Sequence, residues 1–361
     1  MPGDVAPPAR RAAIDRIWFD PSPTARAARA VLAPLAMAYG TVAAVRSEMY
    51  DRRMLPTFEP AVPTVSVGNL TVGGTGKTPI AAWLVAKLTD RGQRPGLVLR
   101  AYGDGDEAAV HRMLNPTVPI VTDADRVAGI ARAAADGCDV AVLDDAFQHR
   151  RVRRVVDCVL VSADSWRAVR WLLPAGPWRE PLGSLRRASM VIITRKAATD
   201  ADVTAVRSAV AAAAPGIPVA IASLVPDALR TLDGEERPLA SLRGSRVRAI
   251  AGIGWPPAFF AQLASAGADV DAVPYPDHHR YSAADVTRIR RYPSSDTIAV
   301  CTLKDAVKLG GLWPREAEPL WYVSQRVEFD VGVESVLAAL DTIRRIRPVS
   351  NRFPPSFTTE S

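Results

Sequence analysis

The residues that could do chemistry gather at the ends of apolar runs. Gly73-Gly-Thr-Gly-Lys-Thr78 follows the run Val62–Val67 and precedes a helical pattern that begins at Pro79. In such a loop the glycines let backbone N–H groups turn inward on phosphates, Lys77 reaches the outer phosphates, and the Thr78 hydroxyl can ligate Mg²⁺. Gly73, Gly74, Thr75, Gly76, Lys77 and Thr78 are therefore candidate nucleotide-binding residues. The usual pattern opens with one more glycine, where this chain has Thr71. Only the outermost position, where the turn is less crowded, is affected. A second run, Val140-Ala-Val-Leu-Asp-Asp145, ends in two carboxylates, as expected of a strand-end aspartate that holds Mg²⁺ directly or through water. Read alone, such a pair would be a turn or a helix cap.

Transfer of a phosphoryl group to an alcohol also needs a group that positions the hydroxyl and accepts its proton. The chain has four histidines, His111, His149, His278 and His279. The last two lie in Pro276-Asp-His-His-Arg-Tyr-Ser282, after an apolar run and before a helix that Ser282 could cap. Gly105-Asp106-Glu107 follows the run Leu97–Leu99, which makes Asp106 and Glu107 candidate bases against the plainer reading of a solvated turn.

The elements that must position these residues read as an α/β chain. Thr64–Val67, Leu97–Leu99, Val140–Leu143, Cys158–Val161 and Met190–Thr194 predict buried strands, with helices such as Pro79–Arg91 and Arg126–Asp136 between them. That alternation predicts a parallel sheet covered on both faces. A second series follows at Val219–Ala222, Val247–Ile253, Val270–Val273, Thr297–Cys301 and Trp321–Val323, closed by a helix over Val333–Ile346. The Ala/Pro-rich stretch Ala197–Pro218 marks the changeover. The expected organisation is an N-terminal arm with an apolar helix (1–54), a phosphate-binding α/β domain (55–200), a second, smaller α/β domain (201–346) and a disordered tail (347–361).

Composition narrows the partners. The 361 residues carry 45 basic against 38 acidic side chains, a net charge of +7, which favours phosphates or an anionic membrane surface. No basic segment interleaved with aromatics points to nucleic acid, and nothing implies a protein partner. Only Lys77, Lys87, Lys196, Lys304 and Lys308 are lysines; the other forty basic residues are arginines. With arginine the default cation, each lysine draws notice. Cys138, Cys158 and Cys301 lie far apart in or beside apolar runs and read as buried thiols in a reducing compartment. Residues 1–25 lack the cleavage pattern of a signal peptide. Ala30–Val45 runs sixteen residues without a charge between arginines. It is shorter than the roughly 20 residues of a spanning helix, so it reads as a helix lying in the membrane interface or as one packed on the protein's own core.

From about Ile14 to Ile346 the chain resembles the tetraacyldisaccharide 4'-kinase family. The resemblance is carried, in order, by Ile14–Trp18, SVGNLTVGGTGKTP (66–79), Arg100-Ala-Tyr-Gly103, Gly105-Asp-Glu107 and DDAFQHRRV (144–152). LLPAGPWREPLGSLRRA (172–188), AGIGWPPAFF (251–260), PDHHRYS (276–282) and TLKDAVKL (302–309) complete it. The resemblance implies a P-loop NTPase-like domain joined to a smaller α/β domain, with an N-terminal helix that meets the bilayer at the cytoplasmic face of the bacterial inner membrane. It implies Mg²⁺-dependent transfer of the ATP γ-phosphate to the 4'-hydroxyl of an acylated glucosamine disaccharide 1-phosphate lipid, giving lipid IVA. Carried over residue by residue, Asp106 is the base and His278 pairs with it. Asp144, Asp145, Gln148 and Glu180 surround the metal with Thr78, while Arg126 and Arg179 help hold phosphates. The chain departs from the family at Ala101 and Ala146 (glycine), Ala108 (proline) and Leu303 (glutamate), and its segment between Tyr102 and Gly105 is shorter. Asp104 and Asp106 thus both stand where the base is expected. Two rival readings remain at this level: a member that only binds, and a nucleotide-dependent switch or metallochaperone. The second would need a Cys/His cluster or a base-reading N-K-x-D, and the sequence has neither.

Overall fold

The computed structural model describes residue 14 and residues 16–100, 105–167, 170–291 and 296–344. The arm before residue 14, the segment 101–104 with Asp104, and the tail from 347 lie outside the described residues.

Apolar residues set the strands. In β1 (Thr64–Asn69) all six positions are buried, the pattern of a central strand covered on both faces. It lies between β4 (Val140–Asp144) and β5 (Val156–Ser162), parallel to both. Beyond β4 come β2 (Pro95–Arg100) and the edge strand β3 (Ile120–Asp123), and beyond β5 comes β6 (Met190–Arg195). β3 escaped the sequence reading because it has four residues and only one is buried. The loop Leu70–Gly76 and helix α2 (Lys77–Asp90) follow β1; α2 sinks Ile80, Leu84 and Leu88, spaced four apart, into the sheet. Helices α3 (Asp106–Leu114) and α4 (Arg126–Ala135) follow β2 and β3. Helix α5 (Asp200–Ala213) begins at a Thr199–Asp202 capping box.

The sheet then continues into a second lobe through one antiparallel ribbon, β7 (Val219–Arg230) with β12 (Trp321–Val331). The first residues of β7 pair with β6, and its far end carries the short strand β8 (Glu236–Pro238). The first residues of β12 pair with β11 (Ile298–Thr302), beside β9 (Arg246–Ala251) and β10 (Asp269–Pro274). Each ribbon strand therefore starts in one lobe and ends in the other. Because the ribbon is antiparallel, the carboxyl ends of β1–β6 and of β9–β11 point at each other across its middle. Loops at strand carboxyl ends are where α/β proteins build sites, so two sets of such loops converge on one cleft.

The division expected at residue 200 looks different in this topology. Val203, Val206 and Val210 of α5 pack in the first lobe, as do Val336, Leu340 and Ile343 of the last helix, α9 (Val333–Arg344). The second lobe's own cores hold residues from β9–β11, α6 (Pro256–Ser265), α7 (Ala283–Ile289) and α8 (Leu303–Leu309). Ser282 caps α7 as its sequence suggested, through a capping box with Asp285. All three cysteines are free and buried.

Helix α1 (Pro23–Asp51) runs 29 residues, continuing through Pro34. One side packs on loops of the first lobe: Gly40 faces Leu172, Arg46 donates to the Gln148 carbonyl, and Arg150 reaches Ser47 and Asp51. Its other side leaves Val31, Leu35, Val42 and Val45 exposed, Val31 by 78 % and Val42 by 68 %. The helix is long and apolar enough to cross a membrane by length and composition, with 6 % of its apolar window buried, and it fits membrane association.

Candidate active site

The loop after β1 is held by its neighbours at both ends. At its start Val72 N–H donates to the Pro177 carbonyl, Arg179 N–H to that of Leu70, and Thr71 bridges Trp178. Thr71 thus lies in a short antiparallel pairing, with no left-handed φ to demand glycine. Gly73 and Gly76 do adopt positive φ, at 119° and 86°. Thr75 is buried, accepting from Asn69 Nδ2 at 2.8 Å, while its carbonyl accepts from Thr194 Oγ1 at 2.8 Å. Lys196 on the following turn donates to the Gly74 carbonyl at 3.3 Å, and burial pushes its ammonium below the ordinary lysine range.

The second lobe covers this loop. Gly254, in the turn after β9, touches the backbone of Gly73 and Gly74; a Cβ there would stand 2.3 Å from the Gly74 nitrogen. The turn is tethered by the fully buried Asp305, whose carboxylate accepts from Gly252 N–H at 3.0 Å, Tyr281 Oη at 2.9 Å and Thr302 Oγ1 at 2.6 Å. Phe19, Trp166, Trp178 and Trp255 wall a cavity along the loop's outer edge.

Beside the loop, the end of β4 presents two aspartates in different states. Asp144 is buried, its Oδ2 against His111 Nε2 at 3.1 Å and its Oδ1 accepting from Asp145 N–H. Asp145 has a left-handed φ of 49° and faces Lys77 at 3.6 Å and Arg179 at 3.1 Å. Burial works against its charge, but Lys77 and then Arg179 outweigh it and hold the carboxyl below its usual range. The turn is braced by Arg126, buried, which donates to the carbonyls of both aspartates at 2.8 and 2.9 Å. Arg126 braces the backbone of both aspartates through Nη2. Gln148 donates to the Asn69 carbonyl, and Glu180 is held by both arms of Arg187. Neither side chain is turned to the aspartates, a departure from the expected metal cluster. Glu107 is raised above the ordinary carboxyl range by burial and by the neighbouring Asp144.

Among the described residues no group of three or more His, Cys, Asp or Glu forms a ready metal cage. That fits a hard cation such as Mg²⁺, which is held by one or two carboxylates together with phosphate oxygens and water. Thr78, in the first turn of α2, and Asp145, at the end of β4, are the residues that could hold such a cation.

Asp106 and His278 do not meet. Asp106 Oδ2 is 2.9 Å from Lys308 Nζ, whereas His278 Nε2 is 3.3 Å from Lys304 Nζ. Two lysines of one helix thus stand where a direct pair was expected. His278 has a left-handed φ of 59°, and partial burial with Lys304 beside it lowers its imidazole below the ordinary value. An ammonium can only donate, so Nε2 is the accepting nitrogen and the proton sits on Nδ1. His279 instead stacks on Tyr275 and bonds Asp285. His111, Lys196, Lys304 and Lys308 had no assigned role in the sequence; the scarcity of lysine was the one signal that pointed at three of them.

Comparison with known proteins follows the same lines. A family model described as tetraacyldisaccharide-1-P 4'-kinase matches residues 28–111 and 104–343. The tetraacyldisaccharide 4'-kinase of Halorhodospira halophila is 35% identical over 354 residues, 93% of this chain and 98% of that one. That of Aromatoleum aromaticum is 38% identical over 299 residues, 77% of this chain and 84% of its own. The crystal structure of the LpxK protein of Aquifex aeolicus in complex with ATP superposes with a TM-score of 0.68. It has 27% identity and covers 87% of this chain and 99% of that one.

Proposed function

The chain belongs to the tetraacyldisaccharide-1-P 4'-kinase family, and with that as premise we propose how its residues divide the work. It is a lipid kinase that uses ATP to phosphorylate the 4'-hydroxyl of a tetraacylated glucosamine disaccharide 1-phosphate in lipid A biosynthesis. Inward N–H groups of Gly73–Thr78 cradle the phosphates, and Lys77 leaves Asp145 for the β- and γ-phosphate oxygens. Arg179, freed from Asp145 in the same exchange, reaches the phosphates from the other side. Thr78 and Asp145 hold Mg²⁺, which when bound supplies positive charge to the transferring phosphoryl oxygens.

Asp106 accepts the 4'-hydroxyl proton as the sugar oxygen bonds to the γ-phosphorus and the bond to the β–γ bridging oxygen breaks, releasing ADP. His278, neutral and protonated on Nδ1, orients the acceptor. The cleft between converging loops excludes water from that phosphorus, which favours lipid over hydrolysis. The reaction runs at the cytoplasmic face of the inner membrane, with the exposed side of α1 in the bilayer and its flanking arginines on anionic headgroups.

The observation that supports this division is the Lys77–Asp145 contact beside the ends of β1 and β4, with Asp106 opening the helix after β2 and its neighbour Glu107 in the field of Asp144, Lys77 and Asp145. In detergent micelles with the lipid acceptor and Mg²⁺-ATP, Lys77→Ala abolishes transfer. Asp106→Asn lowers kcat by about 10²- to 10⁴-fold, the worth of a positioned base. Rapid ATP hydrolysis with the lipid left unphosphorylated, or full turnover in Asp106→Asn, would sink the assignment.

A further inference from the structure

Four of the five lysines in an arginine-dominated chain stand at the site: Lys77, Lys196, Lys304 and Lys308. Lys304 and Lys308 lie one turn apart on α8, hence on one face. Lys308 is nearly buried, its side chain 8% exposed, and its ammonium spans Asp106 Oδ2 at 2.9 Å and the His279 carbonyl at 3.2 Å. Lys304 spans Asp277 Oδ1 at 2.9 Å and His278 Nε2 at 3.3 Å. Lys308 therefore ties Asp106, and Lys304 ties His278, to a fixed point of the second lobe.

We propose that Lys308 and Lys304 are positioning residues of the transfer reaction, Lys308 for Asp106 and Lys304 for His278. The inference rests on the reading of Asp106 as the base. Asp106 is the first residue of α3, after Gly105 in left-handed conformation, and no side chain caps that helix. Nothing in its own helix fixes its rotamer; the ammonium from the opposite lobe does. By occupying Oδ2, Lys308 leaves Oδ1 as the oxygen that faces the incoming hydroxyl. Lys304 acts in parallel by filling the Nε2 lone pair of His278, which fixes the ring's position. A compact ammonium with three freely directed donors can bridge a carboxylate and a carbonyl in this confined space, where a planar guanidinium would impose its own fork.

A salt bridge between lobes could equally serve only to hold them together, and the test separates the two roles. Full-length Lys308→Met, Lys308→Arg, Asp106→Asn and the double variant Asp106→Asn/Lys308→Met are assayed for kcat, for KM of ATP and of lipid, and for thermal melting. Lys308→Met lowers kcat by about 10- to 100-fold, the cost of a misplaced reacting group. Both KM values stay within about twofold, and Lys308→Arg recovers part of the loss, as a change in position rather than in binding requires. In the Asp106→Asn background, Lys308→Met has no further effect on kcat, because the group it positions is gone. Unchanged kcat in Lys308→Met, or a loss that multiplies with that of Asp106→Asn, overturns the proposal and leaves the base intact. Full activity in Asp106→Asn removes the base itself and the proposal with it.

Discussion

At the scale of single residues, the site is assembled by close approaches that only particular side chains allow. Gly254 is the sharpest case, since it lets the second lobe rest on the backbone of the phosphate-binding loop. Gly254→Ala forces the turn and the loop apart at a cost of about 1–3 kcal/mol. Its expected outcome is a KM for ATP raised about tenfold or more with kcat less affected, checked by steady-state kinetics and by nucleotide titration. An unchanged nucleotide affinity would mean the loop tolerates displacement. The sequence displayed Lys77, Asp144, Asp145 and His278 because each stands in a motif or at the end of an apolar run. It gave His111 and Lys308 no role, because the motifs on their helices drew attention to other residues: α3 opens on Gly105-Asp-Glu107, and Lys308 stood out only as a scarce lysine within TLKDAVKL. It also misdirected Glu180, whose neighbour Arg187 claims it only once the 3₁₀ turn over Leu182–Arg187 is formed.

At the scale of elements, α1 shows how local and global signals divide. Its apolar run and flanking arginines were visible, but the helix found is longer than that sixteen-residue run and continues through Pro34. Proline removes one donor and crowds one carbonyl; packing of the opposite side on the loops around Gln148 and Leu172 holds the helix together across it. Val31, Leu35, Val42 and Val45 recur at spacings of four, seven and three, one stripe facing away from the protein. Val42→Glu/Val45→Glu should therefore weaken partition onto vesicles of zwitterionic and anionic phospholipid. The loss is about tenfold or more per residue, from about 1.5 kcal/mol of lost burial each. Turnover of detergent-dispersed lipid stays near normal. Sedimentation with vesicles checks this, and undiminished binding would assign the stripe to another partner.

At the scale of the whole molecule, the strands were readable one by one but their pairing was not. Register between β7 and β12 joins residues about a hundred positions apart, and no local pattern encodes it. The consequence for stability is testable far from the site. Leu340 of α9 is fully buried in the core that also holds Val65, Leu84 and Leu97. Leu340→Ala should cost about 2–5 kcal/mol, read as a lower urea midpoint that ATP partly restores by binding the folded state. A destabilisation in which the second lobe alone unfolds would contradict that packing.

Because β7 carries the chain out of the first lobe and β12 carries it back, residues between about Val225 and Arg326 form an uninterrupted insertion. On the ribosome the inserted lobe emerges whole, whereas its host has already released six strands and a nucleotide loop that still lack their last helix. Synthesis of about 100 further residues, at about 5–20 residues per second, keeps the apolar seat of α9 open for about 5–20 seconds. The lobe that is begun first is finished last.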